Sequence, residues 1–327
     1  MKRRLFSLGC CAMLLLTAIF TSCKTDVPTA ENSVAPKVTY TVTFEANGHG
    51  TAPDKISDIS AGAKITKPED LAAKGWIFGG WYKEKECKTA WDFDKATVQD
   101  DVTLYARWAT IGDILLNDGS IVSSASIREE QKGKAVAVVF GSNANGKLLG
   151  LGLKQSDSEL KWAPNGTKGF ATEFTEIICT PSVSNKAGAA DTATFTGDVY
   201  GGDNWSVICG VDPTGTATDV VASNYPAFNW VNNYGNTYVT HQDYKTGWYI
   251  PSIAEATDIV RNQTAINEGL QKLGTDKTTQ LSPSLYFWSS SQVPNTDVYV
   301  WTINMQGLLM TSRKVDNLQK VLCIRAF

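Results

Sequence analysis

Apolar and polar positions divide the chain into stretches of different period. Leu5 to Phe20 is an uncharged run of about 16 residues behind Lys2, Arg3 and Arg4. A basic start ahead of a short apolar run is the pattern of a secretory signal, and the run falls short of the ~20 residues a spanning helix needs. Residues 24–37 mix Lys, Thr, Asp, Pro, Ser and Asn without an aromatic side chain. Such a stretch buries too little surface to order itself and reads as a tether. From Tyr40 the period becomes two: Tyr40-Thr41-Val42-Thr43-Phe44 alternates as a half-buried strand does, and Asn47-Gly48-His49-Gly50 breaks it with a turn. Trp76-Ile77-Phe78 and Trp81-Tyr82 flank Gly79-Gly80, and Val102 to Trp108 supplies a closing strand. The pattern predicts a small β-rich unit filled by aromatic rings, because so short a segment has little else to fill a core.

Beyond residue 109 the elements are longer and more varied. Ile111 to Leu115 followed by Asn117-Asp118-Gly119-Ser120 reads as a strand and tight turn. Lys134 to Phe140 and Leu148 to Leu153 read as buried strands, with Gly150 and Gly152 admitting close contact. Residues 180–235 are rich in Gly, Asn, Thr and Asp and predict long loops with short strands. At Ser252 a capping box with Glu255 opens a helix whose Ile253, Ala256, Ile259 and Val260 share one face. A second helix carries Ile266, Leu270 and Leu273 and stops at Gly274. Tyr286 to Ser291, Val298 to Ile303 and Val321 to Phe327 complete the pattern as strands.

Composition narrows the function classes. With 327 residues and 43% hydrophobic content, the chain has material for two or three cores. Its formal charge of −3 becomes −6 once Lys2, Arg3 and Arg4 leave with the signal, since residues 1–22 hold no acid. A mildly acidic product lacks the basic footprint of a nucleic-acid partner. Of seven cysteines, two lie in the signal, and Cys87, Cys179, Cys209 and Cys323 follow Cys23 without any CxxC spacing or nearby histidine. That pattern supports neither zinc nor a redox motif. It leaves open three disulfide pairings or four small buried apolar residues.

Three resemblances rest on particular motifs. Phe20-Thr21-Ser22-Cys23, directly after the apolar run, resembles the lipobox of bacterial lipoproteins. The resemblance implies cleavage ahead of Cys23, a diacylglyceryl group on its sulfur and a membrane partner held through that lipid. Two or more acyl chains anchor stably where one does not. Lys24 supplies no acidic retention signal, which favours the outer membrane or cell surface. Tyr40 to Gly48, Pro68, Gly75 to Tyr82, Trp91-Asp92-Phe93 and Asp101 to Trp108 resemble the Listeria–Bacteroides, or internalin B-type, repeat. That family is a β-grasp-like spacer or interaction module of bacterial surface proteins, with no catalytic residues to carry over. Trp248-Tyr249-Ile250-Pro251-Ser252 with Glu255, Phe287-Trp288-Ser289-Ser290-Ser291 and Ile324-Arg325-Ala326-Phe327 resemble C-type-lectin-like domains of Bacteroides and Fibrobacter secreted proteins. Their formylglycine-generating relatives use two late active-site cysteines. This chain has only Cys323 there, so that activity does not carry over.

The expected fold class is α+β and β-rich. Residues 1–22 form the signal and 23–37 the lipidated tether. Residues 38–108 form the β-grasp-like repeat, and 109–327 a C-type-lectin-like domain with short helices and long loops. Candidate chemistry is sparse. His241, in a polar stretch with Asp243, lacks a nucleophile motif. Asp198, Asp203 and Asn204 offer hard oxygen ligands, but turn chemistry explains them as well and no metal or cofactor is expected. Asn229, Trp230, Asn232, Asn233 and Tyr234 mix rigid rings with amides, a chemistry suited to glycan or protein surfaces, or to a core. The expected function is a surface-anchored lipoprotein that binds a glycan or protein ligand in an adhesin-like role, and not an enzyme. The first alternative is a structural envelope or fimbria-like subunit, and the second, against the missing catalytic cluster, an enzyme related to formylglycine-generating-type folds.

Overall fold

The computed structural model describes residues 38–314 and 318–327. The signal, Cys23 and the tether lie outside the described residues. From Val38 to Phe327 the chain gathers as one compact unit.

The first sheet holds β1 (Thr39–Glu45), β2 (Ile56–Ser60), β3 (Ile77–Tyr82) and β4 (Val102–Ala109) in the order β2-β1-β4-β3. β1 and β4 run parallel in the centre, Val42 opposite Val102, while β2 and β3 pair antiparallel at the edges. The period-two alternation turns Val42, Phe44, Leu104 and Ala106 to one face, where they meet Phe78, Trp81 and Trp91. The rings meet edge-on, Phe44 to Trp81 at 4.9 Å and Phe78 to Trp81 at 5.6 Å, the arrangement that ring quadrupoles favour. Gly79-Gly80 forms a register shift within β3. A β-carbon on Gly79 would lie 3.0 Å from Leu148, so this glycine admits the rest of the protein against the sheet.

The remaining strands are β5 (Ile114–Leu116), β6 (Ile121–Val122), β7 (Ala135–Ser142), β8 (Leu148–Gly152), β9 (Cys179–Pro181), β10 (Phe195–Gly197), β11 (Tyr286–Gln292), β12 (Tyr299–Asn304), β13 (Leu309–Arg313) and β14 (Ile324–Ala326). They form an antiparallel five-stranded sheet, β14-β8-β7-β5-β6, a three-stranded sheet, β11-β12-β13, and the pair β10-β9. Helices are α1 (Glu129–Lys132), α2 (Ala189–Thr192), α3 (Asn204–Val211), α4 (Val221–Asn224), α5 (Pro226–Tyr238), α6 (Ile253–Arg261) and α7 (Gln263–Leu273). The architecture is thus β-rich α+β, with several small sheets and few helices.

Helix α6 forms as its sequence predicts. Ser252 Oγ accepts from the Glu255 amide at 3.1 Å, and the Glu255 carboxylate accepts from the Ser252 amide at 2.9 Å. Ile253, Ala256, Ile259 and Val260 all face the core. The contacts expected at Gly150 and Gly152 are present: a β-carbon on either would come within 2.7 Å of Phe327 or Cys323, respectively.

The segment expected as loops differs. α3, α4 and α5 occupy much of 204–238. Pro226 starts α5 at a position where its missing amide hydrogen has no partner to lose. Ala227, Phe228, Val231, Tyr234 and Gly235 then fall on one buried face. Interleaved asparagines, weak helix formers, hide this period in the sequence, and burial of the apolar stripe outweighs their propensity.

The two parts meet along a seam. Ala109, Val139 and Leu148 pack with Ile77 and Ile121. Arg107, 6% exposed, donates to the Tyr82 hydroxyl at 2.6 Å and to the Gly119 carbonyl at 2.7 Å. Between β4 and β5 the chain crosses only four residues, Thr110 to Asp113, with the Asp113 carboxylate accepting from the Thr110 amide at 2.8 Å.

Candidate functional site

Helix α5 presents its polar face to an open depression of about 410 Å³. Asn229, Asn233 and Thr237 recur every four residues and so line one side of the helix. Asn233 Nδ2 donates to the Asn229 carbonyl at 2.8 Å, and Thr237 Oγ1 donates to the Asn233 carbonyl at 2.9 Å. Trp230 and Tyr238, both half-buried, stand beside them with centroids 6.2 Å apart, and Asp157 closes the far wall. Burial and the nearby Asp157 carboxylate push the Tyr238 phenol upward.

Of the five expected binding residues, the fold brings Asn229, Trp230 and Asn233 to this depression. Asn232 is exposed but does not line it. Tyr234 is a core residue and is unavailable to a ligand. It is 1% exposed, packs on Trp248 at 4.7 Å, and its oxygen accepts from the Lys154 amide at 3.2 Å. The helical period places Tyr234 one residue off the polar stripe that begins at Asn229, where a loop would have left it free. Rings with amides can hold a polar ligand by area and adaptable hydrogen bonds.

A second cluster surrounds Glu255. Its carboxylate accepts from the Gly201 amide, the Ser252 amide and the Tyr249 hydroxyl, each at 2.9 Å. Burial pushes the Glu255 carboxyl up to about 7, against these three donors. Asn204, 1% exposed, donates to Ser290 Oγ at 2.8 Å, while Asp203 is exposed and Asp198 half-buried. Burial raises the Asp198 carboxyl. The three oxygen-bearing residues therefore divide between clamp and surface. Among the described residues, no group of three His, Cys, Asp or Glu has the spacing of a metal set.

His241 Nδ1 lies 3.8 Å from Asp243 on an exposed turn. Cys87, Cys179, Cys209 and Cys323 are all free thiols, and all but Cys209 are buried. Burial pushes the Cys179 thiol up to about 12, which keeps it protonated and unreactive.

Sequence reasoning missed Lys314. It is fully buried, and its ammonium donates to the carbonyls of Gly169 (2.9 Å), Thr172 (2.8 Å) and Asp297 (2.6 Å) and to Gln292 Oε1 (3.3 Å). Trp162 and Phe174 flank it at 4.9 and 5.1 Å. Burial lowers its pKa to about 7. Nothing in the sequence signals this cage, because most of it is backbone carbonyl from segments far apart in the chain.

Within this β-rich α+β protein, residues 40–107 match the Listeria-Bacteroides repeat domain. Over 90 residues the chain is 40% identical to an Evansella cellulosilytica protein described as a membrane protein, covering 26% of this chain and 13% of that one. Over 71 residues it is 42% identical to a glycine-rich protein of the same organism, also described as a membrane protein, covering 21% and 8%. The chain thus spans only a small part of these relatives. A solved fimbrial protein from Bacteroides ovatus is similar at a TM-score of 0.47 and 15% identity, covering 88% of this chain and 69% of that one.

Proposed function

We propose that the protein is a non-catalytic, surface-displayed subunit of the cell envelope, structural or fimbria-like, tethered by lipid on Cys23. The observation that carries this reading is the seam. The repeat sheet is packed directly against the β7-β8 sheet through Leu148, Val139 and Ala109 and locked by buried Arg107, so the described residues offer one firm body to neighbouring subunits. The surface-type repeat at 40–107 supports display outside the cell. The signal and the lipobox-like Cys23 support the anchor, placed at the outer membrane or cell surface. In this reading the second part is a C-type-lectin-like head, supported by the order of its Trp248, Trp288 and Arg325 motifs, and the repeat is β-grasp-like. Crosslinking in intact cells combined with protease shaving and mass spectrometry tests it. A stoichiometric envelope partner and an acylated Cys23 are expected. A protein that stays monomeric at native abundance and carries no lipid would overturn it.

A second reading, adhesin-like binding of a glycan or protein ligand, is supported by the α5 depression, where Asn229, Trp230 and Asn233 converge. Binding of the whole chain to glycan arrays and host-matrix proteins, lost in Trp230→Ala, is its expected signature. Folded protein that binds neither removes it.

A further inference from the structure

The repeat carries a ring platform that its core does not use. Trp76 lies outside the aromatic core of the sheet and is 39% exposed. The His49 ring stacks on it at 3.8 Å with an interplanar angle of 24°, and the Trp108 ring meets His49 edge-on at 5.8 Å. Local chemistry holds the group in place. Asn47, Gly48 and Gly50 adopt positive φ and fold the turn back so that His49 reaches Trp76. Asn47 Nδ2 donates to the Lys85 carbonyl at 3.2 Å and the Ala106 carbonyl at 3.0 Å, tying this turn to the 84–87 loop and to β4. Trp108 Nε1 donates to the Ala46 carbonyl at 2.8 Å, which fixes the third ring. The rings border a cavity of about 260 Å³. Lys85 and Glu86 stand at its rim, both exposed and outside every ion pair of the described residues.

An exposed, pre-set tryptophan costs solvation that an isolated repeat has no need to bear, and large rings with a polar end are typical of recognition sites. The rim decides the ligand chemistry. An apolar protein anchor would leave Lys85 and Glu86 desolvated without partners, which is unfavourable. A sugar ring presents an apolar face of C–H groups for the tryptophan and a girdle of hydroxyls that both donate and accept. That girdle satisfies an ammonium and a carboxylate together. We propose that the Trp76–His49 platform, with Lys85 and Glu86, is a glycan-binding site that takes the face of a hexopyranose unit. This site is separate from the α5 depression and does not depend on either reading above.

The test uses the full chain in detergent against an array of neutral-hexose and N-acetylhexosamine oligosaccharides, with titration of the bound oligosaccharides by calorimetry. Binding is expected, and Trp76→Ala should weaken it about tenfold or more, the scale of losing an aromatic anchor. Trp76→Phe, which keeps a ring, should weaken it less. His49→Ala removes the stack while keeping Trp76 and should also weaken binding, which covers the case in which Trp76→Ala fails to fold. The proposal is overturned if folded wild-type protein binds none of these oligosaccharides, if only a protein ligand is captured, or if binding persists in folded Trp76→Ala or is lost only in Trp230→Ala.

Discussion

The repeat sheet and the part that follows it solve the burial problem in opposite ways. In residues 39–109 the core is almost wholly apolar, built from rings such as Trp81, Phe44 and Phe78 and strand residues such as Val42 and Leu104. In residues 110–327 apolar clusters surround buried polar groups: Ser289, Ser290, Ser291, Gln292, Glu255 and Lys314. Those groups knit distant segments together. Trp162 Nε1 donates to the Ser289 carbonyl at 3.1 Å, 127 residues away, and Lys314 reaches Gly169 across 145 residues. A small module can be held by packing alone, whose strength is nearly independent of pH. A loop-rich module needs directional bonds to fix loops that bury little, and such bonds bring polar groups inside, titratable ones at Glu255 and Lys314.

The largest effect should come from the apolar side of this contrast. Trp81→Ala removes a ring 2% exposed at the centre of the repeat and should cost about 3–5 kcal/mol. Because the seam joins the two parts, calorimetry should show one transition moved to lower temperature, and two separated transitions would disprove the coupling. On the polar side, Lys314→Met leaves three carbonyls and an amide oxygen without their donor and should cost about 3 kcal/mol in urea denaturation. The exposed Lys74 of the repeat is its control: Lys74→Met should change stability by less than about 0.5 kcal/mol.

The pH dependence should be smaller, with its largest slopes in the second part. Glu255 titrates near 7 when folded and near 4.5 when unfolded, so between those values the folded state keeps a proton the unfolded chain has released. Its contribution is fully present below about 4.5 and is lost as pH rises to about 7, and Glu255→Gln should flatten that slope. Lys314 acts on the alkaline side: the folded state gives up a proton near 7 that the unfolded chain holds to about 10.5, so stability gains as pH rises between them. Denaturation midpoints measured from pH 4 to 10 in wild type and both variants would separate the two slopes. Smallest of all, Ser252→Ala should cost about 1 kcal/mol by opening the α6 capping box, seen as faster amide exchange at Glu255.

Legibility in the sequence followed the same contrast. The strands around Val42, Leu104, Val138 and Leu151, the capping box at Ser252 and the stop at Gly274 are local patterns and could be read directly. β2, with only Ile59 fully buried, and β13 have too weak an alternation to announce themselves. α5 was hidden by asparagines whose local preference opposes the helix that its buried stripe stabilises. At the candidate site the sequence pointed to Asn229, Trp230 and Asn233 by residue type. It could not show that Tyr234 turns inward, since that depends on helical phase and on Trp248 arriving from elsewhere.

By itself the sequence determined what short-range patterning encodes: the aromatic repeat, the β-rich α+β class and the principal helix caps. Only the tertiary structure decided which side chains meet. It caged Lys314 in distant carbonyls, left the four later cysteines as free thiols, and closed the seam through Gly79 and Leu148. The reason is physical: periodicity and capping act over a few residues of chain, whereas these contacts arise from packing of segments whose proximity no local preference specifies.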